Sequence, residues 1–287
     1  MDHRQPDWPQ RTRRQALAML VAGAGLLGAG RGRAQERVAT LGIVPYLPAQ
    51  RLVTLYAPLQ PVLQAALDMR VELASARDYR AHVQRLRDGA YDVVADSLFI
   101  ARLAQRELGH VPVARTQVPL EPLLVVAEDS AVADVAQLRG RAIAVTDRLA
   151  ALTVLGTRGL RERGLLVDVD YTLVVSGSHA NSLHRVLVGD AAAAIVSVTT
   201  LAQVDPSLAS RVRVLVPLPK GLSAVVYHAA PRWRSRAAAL SQALVTFAAT
   251  PPGRAFVRSL GHGGLLPVRE EELRDLDPFV LEYYRLS

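Results

Sequence analysis

From about residue 35 onward, short apolar runs alternate with stretches whose apolar residues return every three or four positions. The runs are Val38 to Val44, Val71 to Ala74, Tyr91 to Ala95, Leu123 to Ala127, Ala142 to Val145, Tyr171 to Val175, Ala192 to Ser197, Val212 to Val216 and Ala224 to His228, and each reads as a strand. Between the first two, Leu52, Leu55, Leu59, Leu63 and Leu67 fall on one helical face, where Pro58 and Pro61 predict a kink or a late start. Asp78 is placed to cap a second helix that turns Val83 and Leu86 inward and stops at Gly89. Strands alternating with helices predict an α/β fold with mostly parallel sheets.

Two stretches with paired prolines, QVPLEPLL from Gln117 and VPLPKGLS from Val216, each precede a strand and read as crossovers. Chain that passes out and later returns makes two Rossmann-like lobes joined by a two-crossover hinge. The first lobe is then discontinuous, residues 35–122 plus 219–287, and the second is residues 123–218. Open α/β sheets bind ligands outside the carboxyl ends of their strands, so the cleft between the lobes is the expected site.

Composition changes this picture mainly at the front. The formal charge is +8, but residues 1–34 hold six arginines against two aspartates, leaving 28 basic and 24 acidic groups in the rest. No basic run or basic segment interleaved with aromatics remains there, so nucleic-acid binding is not expected. The stretch RTRRQALAMLVAGAGLLGAGRGRA resembles a twin-arginine export signal: Arg13 and Arg14, a mild apolar run, then Gly32-Arg33-Ala34 as a small-x-small cleavage site. The run from Ala16 to Gly30 is about 15 residues, short of the roughly 20 that a spanning helix needs. Residues 1–34 are therefore expected to be an export signal, cleaved near Ala34, that delivers the chain to the periplasm. With no cysteine, there is no lipoprotein anchor, no disulfide, no thiolate metal site and no cysteine nucleophile.

The strand ends supply the candidate binding residues. Tyr46 follows the first strand, and a core tyrosine there would need a partner for its hydroxyl. Asp96 and Ser97 end the third strand. Asp147 and Arg148 end the first strand of the second lobe, where Asp147 can cap a helix and Arg148 can offer a guanidinium to an oxyanion. In VVSGSHANSL, Ser178 stands at an expected strand-to-helix junction, where its hydroxyl can cap the helix while the helix start attracts an anion. His179 and Asn181 lie on that first turn, and an imidazole there can donate to an oxyanion. Ser197 and Thr199, at a further strand end, are weaker candidates. His184 is five residues from His179, which is not a spacing that pairs metal ligands on one helix face. No metal or cofactor is expected.

These residues fall into a recognisable order. LGIVPYLP (Leu41 to Pro48), DYRAHVQRLRDGAYDVV (Asp78 to Val94), LLVVAEDSAVADVAQLRGRAIAV (Leu123 to Val145), GSHANSLHRVLVGDA (Gly177 to Ala191) and TPPGRAFVRSLGHGGLLPV (Thr250 to Val268) together resemble the periplasmic solute-binding proteins of phosphate, phosphite and phosphonate transport. The resemblance implies a type II two-lobe binding fold and a monomeric exported receptor that closes over a small, usually oxyanionic solute for the membrane permease of an ABC transporter. In that picture Tyr46, Ser178, His179 and the loop after Val145 meet the ligand. The family commonly places Ser-Thr-Ser-Gly in that loop, whereas Ala150, Ala151 and Leu152 stand at the matching places here. The same closure could instead serve a membrane sensor kinase. An enzyme on this fold is a third reading, but the chain has no G-x-S-x-G elbow and no third group placed to orient a base.

Overall fold

Eleven strands form two sheets among the residues that the computed structural model describes, 37–261 and 263–287. The expected export signal lies outside those residues. In chain order the strands are β1 (Val38–Ile43), β2 (Arg70–Ser75), β3 (Val93–Asp96), β4 (Val111–Thr116), β5 (Pro122–Ala127), β6 (Arg141–Val145), β7 (Tyr171–Val175), β8 (Ala193–Ser197), β9 (Val212–Pro217), β10 (Val226–Ala229) and β11 (Leu265–Leu266). The helices are α1 (Ala49–Tyr56), α2 (Gln60–Leu67), α3 (Tyr79–Arg87), α4 (Leu98–Leu108), α5 (Ala151–Arg161), α6 (His179–Leu187), α7 (Val198–Gln203), α8 (Pro206–Ala209), α9 (Ala237–Ala248), α10 (Pro251–Ser259) and α11 (Asp277–Leu286). One sheet has the order β11-β4-β10-β3-β1-β2 and the other β7-β6-β8-β5-β9.

Local sequence accounts for these elements closely. The leucine face of α1 and α2 is broken where Pro58 removes an amide, so Ala57–Leu59 tightens to a 3-10 turn and Pro61 starts α2. Asp78 caps α3 by accepting the Ala81 amide at 2.7 Å, and Gly89 follows its end at φ +70°. Leu52, Leu59, Leu63 and Leu67 are buried against β1 and β2 in one apolar cluster.

The sheets are mixed, not mostly parallel. β1 runs parallel to β2 and β3, and β6 runs parallel to β7 and β8. β10 is antiparallel to β3 and β4, β11 to β4, and β5 to β8 and β9. The reason is the route of the chain: β1, β2, β3, β6, β7 and β8 lead into helices, and β4 and β9 into crossovers, at the cleft, whereas β5 and β10 enter from a crossover, β11 follows α10, and these three run away from it. β4 escapes a reading by apolar runs because Pro112 interrupts it. Its ladder with β10 shifts register between Tyr227 and His228, where Pro112 has no amide to donate.

The two crossovers are stitched to each other. Gly221 donates its amide to the Leu120 carbonyl at 2.8 Å, and Leu218 donates to Pro122 at 3.0 Å. The buried Thr116 hydroxyl accepts the amides of Ala224 and Val225 at 3.0 and 3.1 Å, while its own amide donates to Val225. A third link was not foreseen: α11, expected wholly with the first lobe, packs on both α4 and α5. Phe279 stacks on Phe99 of α4 with ring centres 5.2 Å apart and lies 4.7 Å beneath the Arg158 guanidinium of α5. The buried Glu282 pairs with Arg161 of α5.

The corner between α9 and α10 depends on one glycine. Thr250 caps α10 by accepting the Gly253 amide at 3.1 Å, and a Cβ at Gly253 would stand 1.7 Å from the Phe247 carbonyl oxygen. Gly253→Ala is therefore expected to cost at least about 3 kcal/mol, the upper end of overpacking. Urea denaturation reads this directly, and an unchanged midpoint would refute the close approach.

Candidate functional site

Both sheets and both crossovers wall a cavity of about 210 Å³ at the carboxyl ends of the strands. Tyr46, Tyr79 and Ser97 line it from the first sheet's side, and Thr146, His179, Ser197, Thr199 and Thr200 from the second. Val118, Pro119, Ala224 and Val225 line it from the crossovers.

Six helix starts contribute to the wall, those of α1 and α3 through Arg51 and Tyr79, and the other four differ in how their first-turn amides are met. An α-helix leaves these amides without intrahelical acceptors. At α6 the Ser178 hydroxyl accepts the Asn181 amide at 3.1 Å, and at α7 the Ser197 hydroxyl accepts the Thr200 amide at 3.0 Å. At α5 the cap position is Ala150, which has no side-chain acceptor. At α4 the cap position is Ser97, yet its hydroxyl makes no capping bond. That hydroxyl is buried and has no hydrogen-bond partner, on a residue only 5% exposed that faces the cavity. The open starts of α4 and α5 belong to one apolar cluster, in which Leu98 and Phe99 join Ala150, Ala151 and Val154.

Ser97 is held from below by a buried polar network. Asp96 Oδ1 accepts the Ser97 amide at 2.8 Å, and Oδ2 meets His82 Nε2 at 3.1 Å and His228 Nε2 at 3.4 Å. His228 Nδ1 lies 2.8 Å from His110 Nδ1. Burial alone would raise the Asp96 carboxyl, but the two imidazoles overcome it and hold the group well below the usual carboxylate range. Burial, reinforced by His228, pushes His110 down to about 3.

The predicted residues divide into two groups. Tyr46, Ser97 and His179 line the cavity. Burial pushes the Tyr46 hydroxyl up to about 12, and that hydroxyl donates to Tyr56 at 3.3 Å. His179 Nδ1 is shut off from solvent without a partner, and burial pushes the imidazole down to about 4. Asp147, Arg148, Ser178 and Asn181 do not line the cavity and have local partners instead. Asp147 accepts the Leu149 amide at 2.8 Å, and burial raises its carboxyl. Arg148 is committed to Asp168 at 2.5 Å and to the Leu286 carbonyl at 3.5 Å. Asn181 donates its side-chain amide to the Ser176 carbonyl at 3.0 Å.

Sequence reasoning missed Tyr79, Arg51 and Leu260, all in the wall. Tyr79 opens the helix that Asp78 caps, so a strand-end rule extended to the first turn of every helix would have found it. The same extended rule reaches Arg51, the third residue of α1. Nothing in the local sequence singles out Leu260.

The titration of His179 is a direct check on its surroundings. The unfolded chain takes up the imidazole proton near pH 6.5, whereas the folded protein does so at about 4. The unfolded state therefore binds more protons between these values, and this residue's effect is to lower stability as pH falls from about 6.5 toward 4. An NMR titration should place His179 near 4, and a midpoint near 6.5 would mean that the ring is in water.

Comparison with known proteins adds the following. A family model for the periplasmic substrate-binding protein of phosphonate ABC transporters matches residues 41–273. XAC2383 from Xanthomonas citri, solved bound to ATP, is similar over 87% of this chain and 98% of that one, at 19% identity and a TM-score of 0.74. PhnD1 from Prochlorococcus marinus, solved with methylphosphonate, is similar over 86% of this chain and 98% of that one, at 12% identity and a TM-score of 0.73. The aliphatic sulphonate binding protein SsuA from Escherichia coli is similar over 87% and 83%, at 19% identity and a TM-score of 0.56. At these identities the likeness to solved structures is one of fold, the type II two-lobe binding fold. No curated protein matches the chain in sequence.

Proposed function

Because the chain belongs to the family of periplasmic substrate-binding proteins of phosphonate ABC transporters, we propose that its cleft captures a small oxyanionic solute and presents it, enclosed, to a membrane permease. The observation that carries this reading is the Ser97 hydroxyl, buried and partnerless, on a residue that lines the cavity at a helix start it does not cap. A buried hydroxyl without a partner is costly unless a guest completes it. The open starts of α4 and α5 supply amides and partial positive charge on opposite sides of the cleft, and His179 Nδ1 adds a third polar group. An anion held by α4 on one lobe and α5 on the other interacts fully only when the lobes are together, so binding favours the closed form.

In this reading residues 35–122 plus 219–287 and residues 123–218 are the moving lobes, and a mature monomer is released after export. Tyr46, Ser97 and His179 contact the solute, while Asp147, Arg148, Ser178 and Asn181 shape the loops around it. The role is binding without turnover: the buried Asp96 is saturated by its own histidines and cannot serve as a free base.

Thermal denaturation against phosphate, sulfate, phosphonates, sulfonates, carboxylates and amines tests the reading. A ligand present at 100 times its Kd adds about 2.7 kcal/mol of stability, and amines as the only stabilising class would overturn an oxyanion receptor. Ser97→Ala is expected to weaken the bound anion about 10- to 100-fold, the worth of one hydrogen bond to a charged group. Calorimetric titration of wild type and variant should show that loss, and equal affinity would remove Ser97 from the site.

A further inference from the structure

The wall of the cavity constrains the solute beyond its anionic head. Leu47, Leu55, Val118, Leu152 and Leu260 line it, together with the alanines at the start of α5. Leu47 before α1, Leu55 on α1 and Leu260 at the end of α10 pack against the same buried cluster, and they give the cavity an apolar side. No aspartate or glutamate lines the cavity among the described residues, and its one cationic side chain is Arg51, which is exposed. Asp96 is saturated within its network, and Asp147 bonds the Leu149 amide. An ammonium group on a guest would thus enter without a counter-charge, which is costly where water is excluded. An apolar group would instead cover leucine side chains and gain about 0.8 kcal/mol, or fourfold in affinity, per buried methylene.

We propose that the solute is an organic acid with one oxyanion head and a compact apolar body that carries no amine. This rests on the receptor reading above and narrows it. The head meets Ser97, His179 and the open starts of α4 and α5, and the body lies on Leu47, Leu55 and Leu260. The space suits such a molecule: an apolar cavity of about 150 Å³ holds benzene, and this one, at about 210 Å³, has room for a comparable body and a head. Bare inorganic oxyanions leave the leucine side uncovered and bind weakly.

Calorimetric titration of the purified protein with a matched series decides the point. The probes are inorganic phosphate, methylphosphonate, propylphosphonate and 2-aminoethylphosphonate, the last differing from the third in an ammonium where a methyl stands, with propanesulfonate and butyrate to vary the head. Propylphosphonate is expected to bind roughly 15-fold more tightly than methylphosphonate, from two further methylenes, and at least about tenfold more tightly than its aminated isostere. Aminoethylphosphonate or phosphate binding as tightly as propylphosphonate would overturn the inference and leave the oxyanion receptor standing. Absence of binding by every anion of the series would remove both. Leu260→Ala is expected to lower affinity for propylphosphonate while sparing methylphosphonate, whereas Ser97→Ala lowers both alike. An equal loss for the two ligands in Leu260→Ala would overturn the placement of the body.

Discussion

A carboxylate with no exposure to water, Asp96, stands at the cleft end of β3, and the architecture around the site is arranged to keep it charged. Its oxygens gather the amide that begins the next helix, an imidazole from α3 and an imidazole from β10. Two neighbouring elements, α3 and α4, and the distant β10 are thereby fixed at one point, and each reaches toward the cavity: α3 begins with Tyr79, β10 follows the crossover residues Ala224 and Val225, and Ser97 stands at the cap of α4. A buried charge tolerates little displacement of its partners, because any bond it loses inside the protein is not replaced by water. The position of the Ser97 hydroxyl is therefore set by the network beneath it more than by the loop it occupies.

The cavity's chemistry follows from which helix starts are closed. Where serine caps its own helix, as at α6 and α7, first-turn polarity is consumed locally. Where the cap is alanine, or a serine turned away, that polarity stays available to a guest. Having Ala150, Ala151 and Leu152 where the family resemblance implies hydroxyls thus has three effects at once. It removes side-chain donors from one wall, leaves the α5 amides uncapped, and replaces polar surface by apolar surface beside them. The result is a site with backbone donors set beside an oily flank, a different balance from a ring of hydroxyls.

Much of the fold was legible because its local signals agree. Nine of the strands were visible as apolar runs, the break between α1 and α2 was written in Pro58 and Pro61, and Asp78 announced its helix. β4 was hidden by Pro112, which sits at a register shift that only the ladder reveals, and β11 is two residues long and carries no pattern. Strand direction was not legible, since an apolar run reads the same whether the chain is entering or leaving the cleft. Site residues were legible only to the level of the strand end. Ser97 and His179 face the cavity, but Arg148 stands as close to a strand end and is drawn off by Asp168, twenty residues further on. That competition is decided by three-dimensional proximity, and no spacing in the sequence encodes it.

Helix α11 is seated on both halves of the molecule through Phe279 and Glu282. Two adjacent crossovers alone would let the halves swing and also twist about the line that joins them. Under the closure proposed above, α11 is a third attachment that restrains the relative motion of the halves. Little rotational freedom then remains to be lost when the halves meet around a guest, so the ordering penalty of enclosure is small. Under the proposed closure, a small solute therefore has little motion left to arrest.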